Sequence, residues 1–285
     1  MNEPEIVLAA EPDLREMALR RCGSDADRAL YLSLAHVAPG GVWVARDAGE
    51  PIGICFAHAS EGEWFLSELF VEPSFRRQGI GLQLLRTMTR DAGDIWRAGI
   101  LESSAREGIA LFLTRGVSLQ TPLLECAGAI PKEDALAPLA AGDYRFGTMP
   151  IDAELHGGAL ASLDRETRGV ARDADHRFFA QHASGTLLLL NDEPVGYVYV
   201  WPDGRIGPMA AASAAYLTQF LGFALVAMRR TYGASWCKLL VPGNNLRVLR
   251  AAVRLGLQIE ATRIFASDAP PNDLSRYVGF QTLAF

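Results

Sequence analysis

Cysteine is scarce: Cys22, Cys55, Cys126 and Cys237 are scattered along 285 residues with no Cys-x-x-Cys and no Cys/His spacing. That spacing suggests neither a disulfide framework nor a zinc site and predicts reduced, buried thiols. Long apolar runs are missing too, since no stretch approaches the ~20 residues that a membrane span requires. The start, MNEPEIVLAAEPDLREMALRR, carries acids where a secretory signal would carry bases. The expectation is a soluble, cytoplasmic protein with no membrane partner. Positive charge is in deficit, with 27 Lys and Arg against 33 Asp and Glu and a formal charge of -6. This speaks against a nucleic-acid partner and suits a small cationic one. His156, His176 and His182 lack an i, i+4 or His-x-Glu partner, so no metal is assigned to them. Neither a Gly-x-Ser-x-Gly nor a Ser-His-Asp arrangement occurs.

What is present is ordinary globular material, 49% hydrophobic and 21% charged, long enough for two domains. It contains an internal repeat. VWVARDAGEPIGICFA (42–57) recurs in pattern as LLLLNDEPVGYVYV (187–200): an apolar strand, an acidic turn ending in Pro51 or Pro194, and a second strand opening with an apolar residue and Gly53 or Gly196. Each hairpin is followed by a strand, a helix, a strand and a helix ending at a glycine that leads into a last strand. In the first copy these are 64–71, 81–92, 100–103, 108–115 and 123–126. In the second they are 205–209, 214–232, 236–241, 246–255 and 260–266. Gly53 to Gly116 spans 63 positions and Gly196 to Gly256 spans 60, so duplication explains the order better than coincidence. Residues 127–143, with Gly128, Pro131, Pro138 and Gly142, read as a linker. The division predicted is 1–130, a linker at 131–142, and 143–285, each half an α/β or α+β unit with helices at 13–21 and 155–168 ahead of its hairpin.

Chemistry concentrates in FLSELFVEPSFRRQGIGLQLLR (65–86). A strand turns at Glu72-Pro73, passes two arginines and enters a helix through Arg76, Arg77, Gln78, Gly79, Ile80 and Gly81. Backbone N–H groups at a helix start are unpaired donors, and glycines let a phosphate come close to them. A dinucleotide fingerprint needs Gly-x-Gly-x-x-Gly and a P-loop needs Gly-Lys-Ser/Thr; neither is present. The pattern R/Q-x-x-G-x-G/A after a strand ending in Val-x-Pro resembles the motif of GNAT-superfamily N-acetyltransferases, here in a tandem two-domain form. The resemblance implies two tandem GNAT-like domains, each a mixed, mostly antiparallel central sheet flanked by helices. It implies acetyl-CoA as co-substrate, with residues 76–81 around its pyrophosphate and Phe70 and Val71 holding the pantetheine by main chain. The second half has Arg205-Ile206-Gly207-Pro208-Met209-Ala210-Ala211-Ala212 at the corresponding place, without Gly-x-Gly or paired bases, and is expected to bind CoA poorly.

Glu68, three residues before Val71, stands where many members of the family carry a general base, and an amine acceptor must lose a proton to attack a thioester. The family's usual Asn and Tyr are replaced by Ala105 and Phe112 in the first half and by Asn245 and Ala252 in the second, so the usual general acid is missing from both. His58, Glu61 and Glu63 read as a solvated turn beside the acceptor cleft. Phe178, Phe179, Tyr197, Tyr199 and Trp201 read as core packing. The expected activity is acetyl transfer to a primary amine of a small molecule or peptide by a monomer. The alternatives are a non-catalytic acyl-CoA-binding or interaction protein that uses the paired fold, and an inverted arrangement with the reaction in the second half at Asn245.

Overall fold

The computed structural model describes residues 4–38, 40–90, 96–269 and 271–285. The first half runs β1 (Glu5–Leu8), α1 (Glu11–Arg21), α2 (Asp25–His36), β2 (Trp43–Asp47), β3 (Glu50–Ser60), β4 (Glu63–Val71), α3 (Ile80–Met88), β5 (Trp96–Glu102), α4 (Arg106–Thr114) and β6 (Ser118–Ala129). Next come α5 (Glu133–Ala141) and β7 (Gly147–Pro150). The second half continues with α6 (Gly157–Thr167), α7 (Asp173–His182), β8 (Ser184–Leu190), β9 (Glu193–Val200), β10 (Ile206–Ala211), α8 (Leu217–Tyr232), β11 (Trp236–Pro242), α9 (Leu246–Arg254), β12 (Gln258–Ser267) and β13 (Tyr277–Val278). Both predicted hairpins form, as β2–β3 and β8–β9, and each predicted helix lies on its expected segment. Residues 91 and 92, the predicted end of α3, lie outside the described residues.

The repeated hairpin glycine has a packing cause. A Cβ on Gly53 would stand 2.9 Å from the Phe70 carbonyl oxygen and 3.3 Å from Leu84 of α3. A Cβ on Gly196 would collide with Phe220 of α8 and stand 2.6 Å from the Ala210 carbonyl oxygen. In both halves the missing side chain lets the following helix lie against its own hairpin.

Two sheets result, in the orders β1-β2-β3-β4-β5-β12-β6-β11 and β13-β10-β9-β8-β7. The halves exchange their last long strands. β12, from the second half, is inserted antiparallel between β5 and β6 of the first, with Ile264 opposite Leu101 and Pro122. In return β6 pairs with β11, Leu239 opposite Cys126. The segment read as a linker holds more structure than a tether: residues 127–129 finish β6, and 133–141 form α5 with Leu136 buried. Pro138 interrupts the helical pattern in sequence, yet α5 packs against α8, where Gly222 lets it approach; a Cβ there would be 2.7 Å from the Ala140 nitrogen. Phe178, Phe179, Tyr197, Tyr199 and Trp201 join the core, with Phe179 edge-on to Trp201 at 5.7 Å.

Candidate active site

β4 and β5 pair in parallel only from Glu63 opposite Trp96 to Leu66 opposite Gly99, and then part. At the parting point β4 carries a bulge: Glu68 lies opposite Phe56 and Leu66 opposite Ala57, leaving Ser67 as the extra residue. Ser67 Oγ is 2.9 Å from His58 Nδ1. His58 and Phe56 are two apart on β3, so the bulge turns both Ser67 and Glu68 to one side of the sheet. The cleft there has a volume of about 370 Å³ and is bounded by the α1–α2 turn, the start of α4 and residues 281–283. Ala105 and Phe112, where the family's Asn and Tyr were sought, both line it.

Glu68 is nearly enclosed, its side chain 10% exposed, with Arg21 Nη2 3.5 Å from Oε1. Burial pushes its carboxyl above the usual range, and the Arg21 charge opposes the rise. Arg21 is itself held over the Phe70 ring, 4.1 Å from the centroid. Cys22 also lines the cleft, but burial and then the Asp27 and Glu68 carboxylates push its thiol up to about 11, leaving it protonated and a poor nucleophile at neutral pH.

Past Val71 the chain makes a short 3₁₀ turn at Pro73–Phe75 and enters α3 through Gly79, whose φ of +83° is the left-handed conformation that glycine adopts without strain. Among the described residues, the N–H groups from Arg77 to Leu82 donate to no backbone carbonyl or side-chain acceptor. A Cβ on Gly79 would meet nothing within 4 Å, so the space before these donors is open. Arg76 turns back, its Nε donating to the Val71 carbonyl at 2.9 Å, while Arg77 and Gln78 are exposed. This donor row fits an anionic phosphate group.

The equivalent place in the second half is filled. β10 and β11 diverge in the same way, joined by a single parallel bridge between Arg205 and Lys238. The gap between them is taken by the chain's own C-terminal segment: Tyr277 and Val278 pair with Ala210 and Met209, and Gly279 N donates to Leu240 O at 2.8 Å. Asn245 is buried and fastens this plug, its Nδ2 donating to the Tyr277 carbonyl at 2.8 Å while its Oδ1 caps α9. Tyr144, Phe146, Tyr216 and Phe220 cluster where α8 begins, with rings 4.7 to 6.1 Å apart.

Of the residues read as a solvated turn, only Glu61 is in the turn, bound to Arg165 Nε at 2.9 Å and to the Ala171 N–H. His58 and Glu63 are buried on β3 and β4, 3% and 6% exposed, Glu63 paired with Arg168 at 3.0 Å. The second half supplies the cover: α7 brings Asp175 within 4.0 Å of His58 Nε2. His176, left without a role by its sequence neighbours, is held by Asp164 Oδ2 at 2.9 Å and Tyr199 at 3.0 Å. Among the described residues no group of three or more His, Cys, Asp or Glu is arranged to hold a metal, and no helix is long and apolar enough to cross a membrane. All four cysteines are free and buried.

The first half thus holds a mostly antiparallel sheet that parts between two parallel strands, with an open helix start at the mouth of the gap, and the second half repeats the parting with the gap filled. Residues 38–116 match the family model described as an acetyltransferase (GNAT) domain. A mycothiol acetyltransferase of Nocardiopsis dassonvillei is 27% identical over 85% of this chain and 86% of its own length. Among solved structures, a provisionally assigned acetyltransferase from Pyrococcus horikoshii shares 15% identity with a TM-score of 0.74, covering 100% of this chain and 96% of that one. A tandem GNAT protein from the clavulanic acid biosynthesis pathway shares 16% with a TM-score of 0.60, covering 94% and 99%. These structural likenesses are of fold. Residues 38–116 thus carry a GNAT acetyltransferase domain, and the chain as a whole is similar in sequence to an acetyltransferase and in fold to a tandem GNAT protein.

Proposed function

We propose that the first half transfers an acetyl group from acetyl-CoA to a primary amine, with Glu68 as general base. The observation that carries this reading is the joint placement, on one strand-turn-helix segment, of a nearly enclosed carboxylate beside the β4 bulge and an open row of helix-start N–H groups. Acetyl-CoA, when bound, supplies an activated thioester. The N–H groups of residues 77–82, with Arg77 and Gln78 beside them, hold its pyrophosphate, and the parted edge of β4 at Phe70 and Val71 holds its pantetheine. Arg76 braces that edge through the Val71 carbonyl.

Glu68 takes a proton as the amine nitrogen bonds to the thioester carbonyl, and the irregular backbone at Ser67 offers an N–H for the developing oxyanion. The C–S bond then breaks. With Phe112 where a tyrosine would stand, water supplies the proton to the departing thiolate, whose modest basicity makes this sufficient. The second half binds no CoA of its own, because residues 277–279 occupy its slot; its role is to complete the acceptor cleft. Because a mycothiol acetyltransferase is among the relatives, its acceptor belongs in the amine panel.

Calorimetric titration of acetyl-CoA into wild type, Gly79→Ala and Gly79→Glu tests the site. Both variants strain a left-handed position, but only Glu adds negative charge in front of the donors. Binding that survives Gly79→Ala and is lost in Gly79→Glu supports the loop as the pyrophosphate site. Equal binding by all three moves the cofactor elsewhere, and binding without thiol release across an amine panel would leave a CoA-binding protein that does not turn over.

A further inference from the structure

The cleft beside Glu68 shares Asp27, Gln281 and Thr282 with an adjoining second cavity of about 160 Å³, which neither β4 nor the glycine-rich loop lines. Its walls come from β6, β11 and β12 and from the segment leading into β10, strands that meet only because the halves exchange partners.

The two ends carry opposite charge. Around the cleft stand Glu68, Glu102 and Asp27 against Arg21. Around the second cavity stand Arg205, Lys238 and Arg263 against Asp27 and Glu125. Two of these cations are already spent on carboxylates. Arg263 Nε is 2.9 Å from Glu102 and its Nη1 2.8 Å from Glu125. Arg205, 5% exposed, reaches Asp27 at 2.8 Å and Asp203 at 2.7 Å, and donates to Gln281 Oε1 at 2.6 Å. Lys238 differs. It is half-buried in the cavity wall, and among the described residues no carboxylate lies within ion-pair distance of its ammonium. A cation in a recess shielded from bulk water attracts an anion more strongly than one on an open surface. The two arginines are shared among Asp27, Asp203, Glu102 and Glu125; of these carboxylates only Asp27 and Glu125 line the cavity, so its lining sets three cations against two carboxylates.

We propose that the second cavity binds an anionic group, a carboxylate or phosphate, on the far end of the acceptor, with Lys238 as its counter-ion. The amine end then lies among the acids around Glu68, and the enzyme selects amino compounds that carry a negative charge away from the reacting nitrogen. This inference rests on the reading of the chain as an amine acetyltransferase.

The test compares kcat/KM, followed by thiol release from acetyl-CoA, for two matched pairs: glucosamine 6-phosphate against glucosamine, and 4-aminobutyrate against 4-aminobutanamide. The first pair reports on phosphate and the second on carboxylate. The anionic member of at least one pair should be favoured ten-fold or more in wild type. Lys238→Gln should shrink that ratio to within about three-fold, and Lys238→Glu should invert it. Thermal melting and acetyl-CoA titration verify that each variant is folded. Ratios near one in wild type, or a ratio unchanged in Lys238→Gln, overturn the inference while leaving amine acetylation standing. Failure of wild type to bind acetyl-CoA or to acetylate any amine overturns both.

Discussion

Glu68 sits between two opposing influences, burial that favours its neutral form and the Arg21 guanidinium that favours the carboxylate. A base must be ionised to act, so kcat/KM should rise with pH through the raised pKa of Glu68. Removing the opposing charge in Arg21→Ala raises that pKa further and moves the acid limb to higher pH, while Arg21→Lys restores it. Glu68→Gln should lower kcat by about 10²- to 10⁴-fold and abolish the limb. A pH profile of Arg21→Ala superimposable on wild type would remove Arg21 from this role. Glu68 and the glycine-rich loop could be found in the sequence because both lie within one strand-turn-helix segment. Arg21 could not, since it reaches Glu68 from a helix 47 positions earlier.

At the level of elements, the two hairpin glycines look alike in sequence but differ in their surroundings. Gly53 faces one carbonyl oxygen and the flexible end of Leu84, which can shift. Gly196 is wedged between a carbonyl oxygen and the ring of Phe220, which is fully buried. Gly196→Ala should therefore overpack the core at about 1–3 kcal/mol, more than Gly53→Ala, read as the larger drop in urea midpoint at unchanged slope. Gly53→Ala should instead weaken acetyl-CoA binding, because it presses on the β4 backbone at Phe70, next to Val71 on the parted edge. The hairpins were readable because a period of two and a turn are local signals. α5 was not: Pro138 and Gly142 look like breakers, and only the face of α8 opened by Gly222 shows why a helix packs there.

For the molecule as a whole, the exchange of β6 and β12 makes each half's sheet depend on the other. We predict that residues 1–142 expressed alone show no cooperative thermal transition, because β5 and β6 lose the strand that lies between them. Co-expressed with 143–285 they should co-purify one to one and regain acetyl-CoA binding. A stable, acetyl-CoA-binding 1–142 would show that the division at 131–142 separates independent domains. The same internal pairing gives the chain the two-fold partner that a single-domain relative would seek in a second copy, so sedimentation should report a monomer.

The sequence by itself determined the repeated order of strands and helices, the glycine-rich strand-to-helix loop and the strand that bears Glu68. Each of these is carried by periodicity, turn residues or glycine placement within some twenty positions. Only the tertiary structure decided which strand lies beside which, that residues 277–279 plug the second slot, and that Lys238 shares a cavity with Asp27 and Gln281. Those outcomes depend on pairing and packing between segments up to two hundred or more positions apart. Several strands can satisfy the same edge in pattern, and the whole core selects among them.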